Sequence, residues 1–179
     1  MMILITTLFL FQATTVTDTL PTFIEFVANT DIEVQGDLAD GTEMADLSWA
    51  WDSSNACFPE TQKKKFTGKH VLYYIDLPSY TEMEITVVPE HPKANFSLYA
   101  YEVGKVDDGN TVPNLPGCVR CEVDHIWDRP RRGKTQNHTR VVKDILALRN
   151  PYQVVIGVVG AEGLQEGAYT LIIRNKSRK

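Results

Sequence analysis

Three cysteines are the residues of this 179-residue chain with the most distinctive chemistry. Cys118 and Cys121 form a Cys-x-x-Cys pair, and Cys57 lies far upstream. In an oxidising compartment three cysteines predict one disulfide and one spare thiol. We expect Cys57 to pair with Cys121, because Cys118 follows Pro116-Gly117 and is more typical of a loop. The alternatives are that Cys118 pairs with Cys57 or with Cys121, or that all three thiols are reduced.

The Cys118 and Cys121 pair could also serve in redox or metal chemistry. A thiol-disulfide oxidoreductase places such a motif at a helix N-terminus, where the helix dipole lowers the thiol pKa, and no helical pattern follows here. With His125 and His138 the two cysteines would supply a full set of zinc ligands. The spacing between the two histidines is loose for zinc, and an exported chain favours disulfides, so zinc is the weaker hypothesis.

A group of hard oxygen ligands surrounds Gly109. Asp107, Asp108 and Asn110 could bind calcium, which prefers carboxylate and amide oxygens. The same residue types are common in tight turns, and their spacing does not match an EF-hand loop. We therefore predict a turn at this position, with calcium as the alternative and no other cofactor.

A cationic loop follows the cysteine pair. Its cations are Arg129, Arg131, Arg132 and Lys134, with Arg140 nearby. Such a loop could bind phosphate, sulfate or an acidic glycan through bidentate arginine contacts, and Trp127 could stack on a sugar ring. A run of this kind is more often simply solvated. The candidate ligand-binding residues are Trp127, Arg129, Arg131, Arg132 and Lys134.

Composition and motifs exclude several functions. The net charge is −5, and residues 1–62 contain ten Asp or Glu but no Lys, Arg or His. An acidic chain without a dense basic stripe does not predict nucleic-acid binding. The sequence contains neither the Gly-x-Ser-x-Gly elbow of hydrolases nor the His-Glu-x-x-His motif of zinc proteases. We therefore predict no catalytic residues.

The N-terminus predicts export. Residues 1–11 are an apolar run that is shorter than the roughly 20 residues needed to span a bilayer. We interpret residues 1–13 as a signal peptide cleaved near Ala13, with a buried first strand as the alternative. The predicted location is secreted, cell-surface or periplasmic, without a membrane span in the mature chain. Residues 14–30 would form a lead-in to the folded domain.

Short segments with period-two alternation predict an all-β fold. The clearest is residues 82–88, where Met83, Ile85 and Val87 alternate with polar side chains. Residues 47–51 show the same spacing, with Leu47 and two tryptophans on one face. About eight or nine such segments, without amphipathic helices, predict an antiparallel, jelly-roll-like β-sandwich.

The last two predicted strands cover residues 150–160 and 166–174. They are joined by a short loop containing Gly160 and Gly163. Two strands alone have too little apolar surface to be stable, so earlier strands must cover them. The residues expected in the core are Tyr152, Ile156, Tyr169 and Leu171.

The order of these segments carries a family resemblance. The relevant pieces are Gly36-Asp-Leu, Leu77-Pro78, Met83-Glu-Ile-Thr-Val87, Phe96-Ser-Leu-Tyr-Ala100, Tyr152-x-Val-x-Ile156 and Gly167-Ala-Tyr-Thr-Leu171. Together they resemble the bacterial pre-peptidase C-terminal domain, a small secreted β-sandwich, over about residues 31–174. The resemblance implies one exported sandwich domain over residues 31–179, and it implies no active site. This chain departs from it in its cysteines and in a long insert at residues 105–149.

These observations predict an exported, non-catalytic binding or accessory module. Its partner would be another extracellular protein or a glycan. One alternative is a metal-, anion- or glycan-dependent binding protein that uses residues 118–140. Another is a hydrolase on a jelly-roll scaffold, because a fold does not determine function. Glycosylation sequons at Asn95, Asn137 and Asn175 would matter in a eukaryotic secretory route, and the bacterial resemblance makes them incidental.

Overall fold

A computed structural model describes residues 20–50, 60–114, 121–123, 132–133 and 137–178. These ranges contain ten strands and four short 3-10 helices. The strands are β1 (Thr22–Ile24), β2 (Ile32–Asp37), β3 (Thr42–Glu43), β4 (Lys69–Leu77), β5 (Thr81–Pro89), β6 (Phe96–Val103), β7 (Cys121–Val123), β8 (Arg140–Ala147), β9 (Tyr152–Gly160) and β10 (Ala168–Ser177). The 3-10 helices are Leu38–Asp40, Ser48–Ala50, Glu60–Phe66 and Ala161–Gly163.

The strands form two sheets packed face to face. Sheet A has the order β1-β4-β9-β6-β7, with β3 beside β4, and sheet B has the order β2-β10-β5-β8. All pairs are antiparallel except β1 with β4. The orders β2-β10-β5-β8 and β4-β9-β6-β7 are those of an eight-stranded jelly roll. The predicted fold class is therefore confirmed, and the very short β1 and β3 bring the number of strands to ten.

The main core lies between the inner faces of the two sheets. Alternation places Ile75 and Leu77 of β4 opposite Met83, Ile85 and Val87 of β5, all fully buried. The predicted core residues Ile156, Tyr169 and Leu171 are also fully buried, whereas Tyr152 packs against the core only partly. β9 and β10 belong to opposite sheets, so each closes one layer of the sandwich.

Sheet A carries a second apolar layer on its outer face. The buried residues of this layer are Trp49, Phe66, Tyr99, Tyr101, Val112, Val155 and Val159. Because β9 is buried on both faces, residues 154–159 form a continuous apolar run with a glycine at position 157. The Tyr99 ring packs directly over Gly157, where an added Cβ would lie 2.1 Å from the ring carbon Cζ. Only glycine gives the aromatic layer this close approach to the sheet.

The strand predicted from the spacing of residues 47–51 is wrong. Ser48–Ala50 forms a 3-10 helix, and the Asp46 carboxylate accepts hydrogen bonds from the Ser48 amide at 2.7 Å and the Ser48 hydroxyl at 2.9 Å. This local capping competes with strand pairing. Trp49 is nevertheless buried, as expected for a core residue, while Trp51 lies outside the described residues.

Chain segments that cross between the sheets define two ends of the sandwich. The upper end comprises residues 36–41, 90–95, 137–139 and 161–167. The lower end comprises residues 27–31, 78–80 and 148–151, together with the last residues of β10 and Arg178. Residues 105–149, the predicted insert, include β8, which is an edge strand of sheet B. Residues 140–147 of the predicted insert thus form a regular strand.

The upper end is held by motifs that are far apart in the sequence. The Asp37 carboxylate accepts hydrogen bonds from the amides of Ala39 at 2.8 Å and Gly167 at 3.1 Å, and these bonds lower the pKa of Asp37. The hydroxyls of Tyr73 and Tyr169 lie 2.9 Å apart. Both rings pack against Gly36, where a Cβ would lie 2.6 Å from Tyr169 Cζ. The first and last pieces of the family resemblance thus form one structural contact.

Candidate functional site

The lower end exposes large apolar side chains. Tyr80 is 57% exposed and Leu148 is 63% exposed. They belong to the turns that carry the chain from β4 to β5 and from β8 to β9. We define the lower-end patch as Tyr80, Leu148, Arg149 and Arg178. Exposed side chains of this size on adjacent turns are unusual, because most surface apolar residues are scattered singly.

Hydrogen bonds tie the segments of the patch together. The Tyr80 amide donates to the Leu148 carbonyl at 3.1 Å, and the Arg178 amide donates to the Tyr80 carbonyl at 2.6 Å. The Ser79 hydroxyl donates to the Arg149 carbonyl at 2.9 Å. Three parts of the chain therefore position one another. The patch is a constrained surface at the lower end of the sandwich.

Tyr80 has a left-handed backbone conformation with φ of 58°. This region favours glycine and asparagine, and a bulky residue there costs about 1–2 kcal/mol. Strained conformations of this kind are concentrated at functional sites, where the surroundings hold them in place. The strain therefore supports a role for the Tyr80 side chain beyond the turn itself.

Two of the four residues of the lower-end patch are arginines. Arg178 forms an ion pair with Glu82 at 2.7 Å. Arg149 and the neighbouring Lys176 are exposed and have no carboxylate partner within the described ranges. Tyrosine and arginine are also the residue types enriched at the energetic centres of protein interfaces. The patch therefore suits a partner whose surface is acidic and contains an apolar recess.

Most of the sequence-predicted site falls outside the described residues. This applies to Cys57, Cys118, His125, Trp127, Arg129, Arg131 and Lys134. Cys121 lies in β7, of which only the backbone is described, and Arg132 is exposed. The disulfide, the zinc ligands and the cationic ligand-binding loop therefore stay predictions.

Arg140 is part of the fold and does not extend the cationic loop. Its guanidinium is buried, donating from Nε to the Phe96 carbonyl at 2.7 Å and from Nη2 to Asn95 Oδ1 at 2.9 Å. His138 lies beside it, with Nδ1 3.4 Å from Nη2. Buried arginines need such partners, and these contacts fix the start of β8 against β6.

The oxygen-rich segment near Gly109 is a turn, as predicted. Asp107 Oδ1 accepts a hydrogen bond from the Gly109 amide at 2.9 Å, and Asn110 Oδ1 accepts one from the Asp107 amide at 2.9 Å. The Asp108 side chain is exposed. Side chains of the turn thus bond to its own backbone. Within the described ranges no group of three or more His, Cys, Asp or Glu is placed to hold a metal ion.

His70 is a buried histidine that joins the outer layer to sheet A. It is 2% exposed, with Nε2 3.0 Å from the Phe66 carbonyl and Nδ1 3.3 Å from the Tyr99 hydroxyl. A neutral ring that donates from Nε2 and accepts at Nδ1 satisfies both contacts. Burial lowers the pKa of His70 to about 4, against an opposing contribution from the Phe66 carbonyl. This histidine is structural, because it is sealed from solvent.

Sequence reasoning did not identify the lower-end patch. The signal available was weak: Tyr80 directly follows the turn residues Pro78-Ser79, and Leu148 precedes a second turn that ends at Pro151. A large apolar residue within turn chemistry could have marked both positions. Their proximity depends on the jelly-roll crossovers and has no counterpart in the sequence.

Comparisons with known proteins give little further information. No family model and no curated protein matches the chain. Among solved structures, the chain is similar to PliG, a periplasmic inhibitor of g-type lysozyme from Aeromonas hydrophila, with a TM-score of 0.38 and 10% sequence identity. The match covers 87% of this chain and 96% of that chain. At this level the similarity carries no argument about function, and the resemblance to the pre-peptidase C-terminal domain stays a prediction.

The described residues also contain no helix that is long and apolar enough to cross a membrane.

Proposed function

We propose that this protein is an exported, non-catalytic binding module whose lower-end patch contacts another extracellular protein. The observation that carries the proposal is the pair Tyr80 and Leu148, both exposed and held on hydrogen-bonded turns. The predicted signal peptide supports a secreted, cell-surface or periplasmic setting. A partner protein would cover the apolar side chains and match the nearby cations.

The energetics of the patch favour protein binding. Complete burial of a large apolar side chain contributes roughly 1.5–3 kcal/mol, so Tyr80 and Leu148 could act as central contacts. The turns are already tied together by backbone hydrogen bonds, which lowers the ordering cost on association. The cations Arg149 and Lys176 would accelerate encounter with an acidic partner.

The environments of the perturbed titratable groups support a non-catalytic role. The pKa of Tyr169 is raised by burial and by its hydrogen bond to Tyr73, and burial also raises the pKa of Tyr99. Together with His70, these groups sit in apolar packing and contact other structural residues. Perturbed pKa values can mark catalytic sites, and here they accompany core packing.

Site-specific photo-crosslinking in the native host tests the proposal. A photoreactive amino acid at position 80 should trap a discrete partner protein, and the same group at position 143 should not. Position 143 is a matched control because Lys143 is exposed on the outer face of sheet B. The trapped protein would then be purified for direct binding measurements.

Direct binding separates a specific contact from capture alone. Y80A/L148A should weaken the affinity for the purified partner by about 30-fold or more, because a central contact contributes about 2 kcal/mol. Both side chains are exposed, so the melting temperature should not fall. K143A should bind like the wild type. Equal affinities for all three proteins would refute the proposal.

A further inference from the structure

The glycosylation sequons of this chain occupy very different environments in the fold. They are Asn95-Phe-Ser97, Asn137-His-Thr139 and Asn175-Lys-Ser177. N-glycosylation replaces one hydrogen on the asparagine Nδ2 with a bulky sugar. A chain that is glycosylated during export must still accommodate the sugar when it folds. Burial and hydrogen bonding of each asparagine therefore decide where a glycan is compatible with the folded protein.

Asn175 is unsuitable because its amide is part of the fold. The side chain is 9% exposed, and Nδ2 donates to the carbonyls of Val27 at 2.9 Å and Thr30 at 3.0 Å. Its Oδ1 accepts from the Asn29 amide at 2.7 Å. A sugar on Nδ2 would remove one of these bonds and would have to fit between β10 and the segment 27–30.

Asn95 lies at the opposite, upper end of the sandwich, and its side chain is also part of the fold. Its Oδ1 accepts from the buried Arg140 guanidinium at 2.9 Å, and its carbonyl accepts from the Ala161 amide at 2.9 Å. The Ser97 residue of this sequon is fully buried within β6. The Asn95 side chain is half-buried, so a sugar on Nδ2 would have to fit directly beside the bond between Oδ1 and the buried Arg140 guanidinium.

Asn137 differs from both. Its side chain is exposed, and its Oδ1 accepts from the Thr139 amide at 3.2 Å, forming a tight turn around His138, whose φ is 56°. Nδ2 has no acceptor in the described part of the chain, so a sugar there displaces no hydrogen bond described for the fold. This sequon also carries threonine instead of serine.

We propose that Asn137 is the N-glycosylation site of this protein in a secretory compartment that contains an oligosaccharyltransferase. The donor class is a lipid-diphosphate oligosaccharide. Asn137 Nδ2 forms a bond to the sugar C1 as the bond from C1 to the phosphate oxygen breaks. The lipid diphosphate leaves, and the Nδ2 proton passes to a base of the transferase. The acceptor is the exposed upper-end turn at residues 137–139.

The glycan would leave the lower-end patch open. Asn137 precedes β8 at the upper end, and Leu148 follows β8 at the lower end, so roughly 25 Å of extended strand separates them. The inference is therefore independent of the proposed function. A failure of one would not imply a failure of the other.

Sequon variants that keep each asparagine provide the test. The full chain would be secreted from cultured eukaryotic cells as wild type, T139A, S97A and S177A. Each substitution removes one sequon and preserves the hydrogen bonds of its asparagine side chain. Intact mass would be measured before and after treatment with a peptide N-glycosidase, and peptide mapping would locate the resulting Asn-to-Asp conversion.

The wild type should carry one N-glycan, at Asn137. T139A should lose it, whereas S97A and S177A should retain it. A wild type without a glycan, or a T139A variant that still carries one, would overturn the proposal. If the chain is not secreted, translation with microsomes behind a heterologous signal sequence gives the same comparison as a gel shift of the translocated chain, and an unshifted wild type again counts against it.

Discussion

The outer faces of the two sheets differ in what covers them. Sheet A lies under a second apolar layer that includes Trp49, Phe66 and Tyr99. The outer face of sheet B instead carries ion pairs, in which Arg174 contacts Asp31 and Glu84, each at 3.1 Å. The same sandwich therefore has one sheet with two buried faces and one sheet with a solvated face.

This difference explains the two kinds of strand in the sequence. β9 is apolar at nearly every position, because its side chains enter the main core and the second layer alternately. β5 alternates between apolar and polar residues over Glu82–Val87, because its inner face is fully buried while Glu82 and Glu84 on its outer face are only partly buried. Stability should thus depend strongly on the outer face of sheet A and weakly on that of sheet B.

The largest effect should come from removing the centre of the second layer. Y99A deletes a fully buried ring that contacts Trp49, Phe66 and His70, and truncation of a large buried aromatic costs about 4 kcal/mol. I172A, on the outer face of sheet B, is the matched control and should cost about 1 kcal/mol. Urea denaturation measures both. Similar losses of unfolding free energy in Y99A and I172A would contradict the proposed difference between the outer faces of the two sheets.

A second effect should appear on acidification, through His70. Its folded pKa of about 4 lies below the ordinary value of 6.5, so the folded state holds the neutral ring. As the pH falls, the unfolded state takes up the His70 proton first, and this uptake lowers the free energy of unfolding. The full stability is therefore present above about pH 6.5 and is lost progressively between about pH 6.5 and 4. The loss in unfolding free energy should approach about 3 kcal/mol.

H70Q isolates this contribution, because it cannot take up the proton. The difference in unfolding free energy between wild type and H70Q should therefore shrink by that amount as the pH is lowered through this window. H91Q is the control, since His91 is exposed. If the pH dependence of H70Q matched that of the wild type, the buried neutral histidine would be excluded as its source.

The smallest effect should come from the ion pairs on sheet B. R174A removes contacts to Asp31 and Glu84, but all three side chains are substantially exposed, so solvent screens the interaction. We expect no resolvable change in the urea midpoint, at low or high salt. A clear, salt-sensitive loss would show that sheet B depends on this network.

The regular part of the fold was predictable from the sequence because strand burial leaves a period-two pattern. The alternation around Met83, Ile85 and Val87 identified β5 and its inward face correctly. The pattern failed around Trp49, where a short 3-10 helix brings the ring onto the sheet. At Trp49 the periodicity correctly predicted that the side chain is buried, but not the backbone conformation that buries it.

The candidate site was not predictable for a different reason. Tyr80 and Leu148 are separated by 67 intervening residues and meet because two crossovers lie at the same end of the sandwich. No local pattern encodes this proximity. The sequence-predicted candidates near Cys118 and Arg129 remain open, because they lie outside the described residues.

The sequence by itself predicted an all-β fold, because alternating burial is a local consequence of the β-strand geometry. It also identified six fully buried inward-facing residues, among them Met83, Ile156 and Tyr169. Only the tertiary structure decided that sheet A has two buried faces, that Gly36 meets Tyr169, and that Tyr80 and Leu148 form one surface. These contacts join distant segments, and they depend on strand order and crossover position, which local sequence periodicity does not specify.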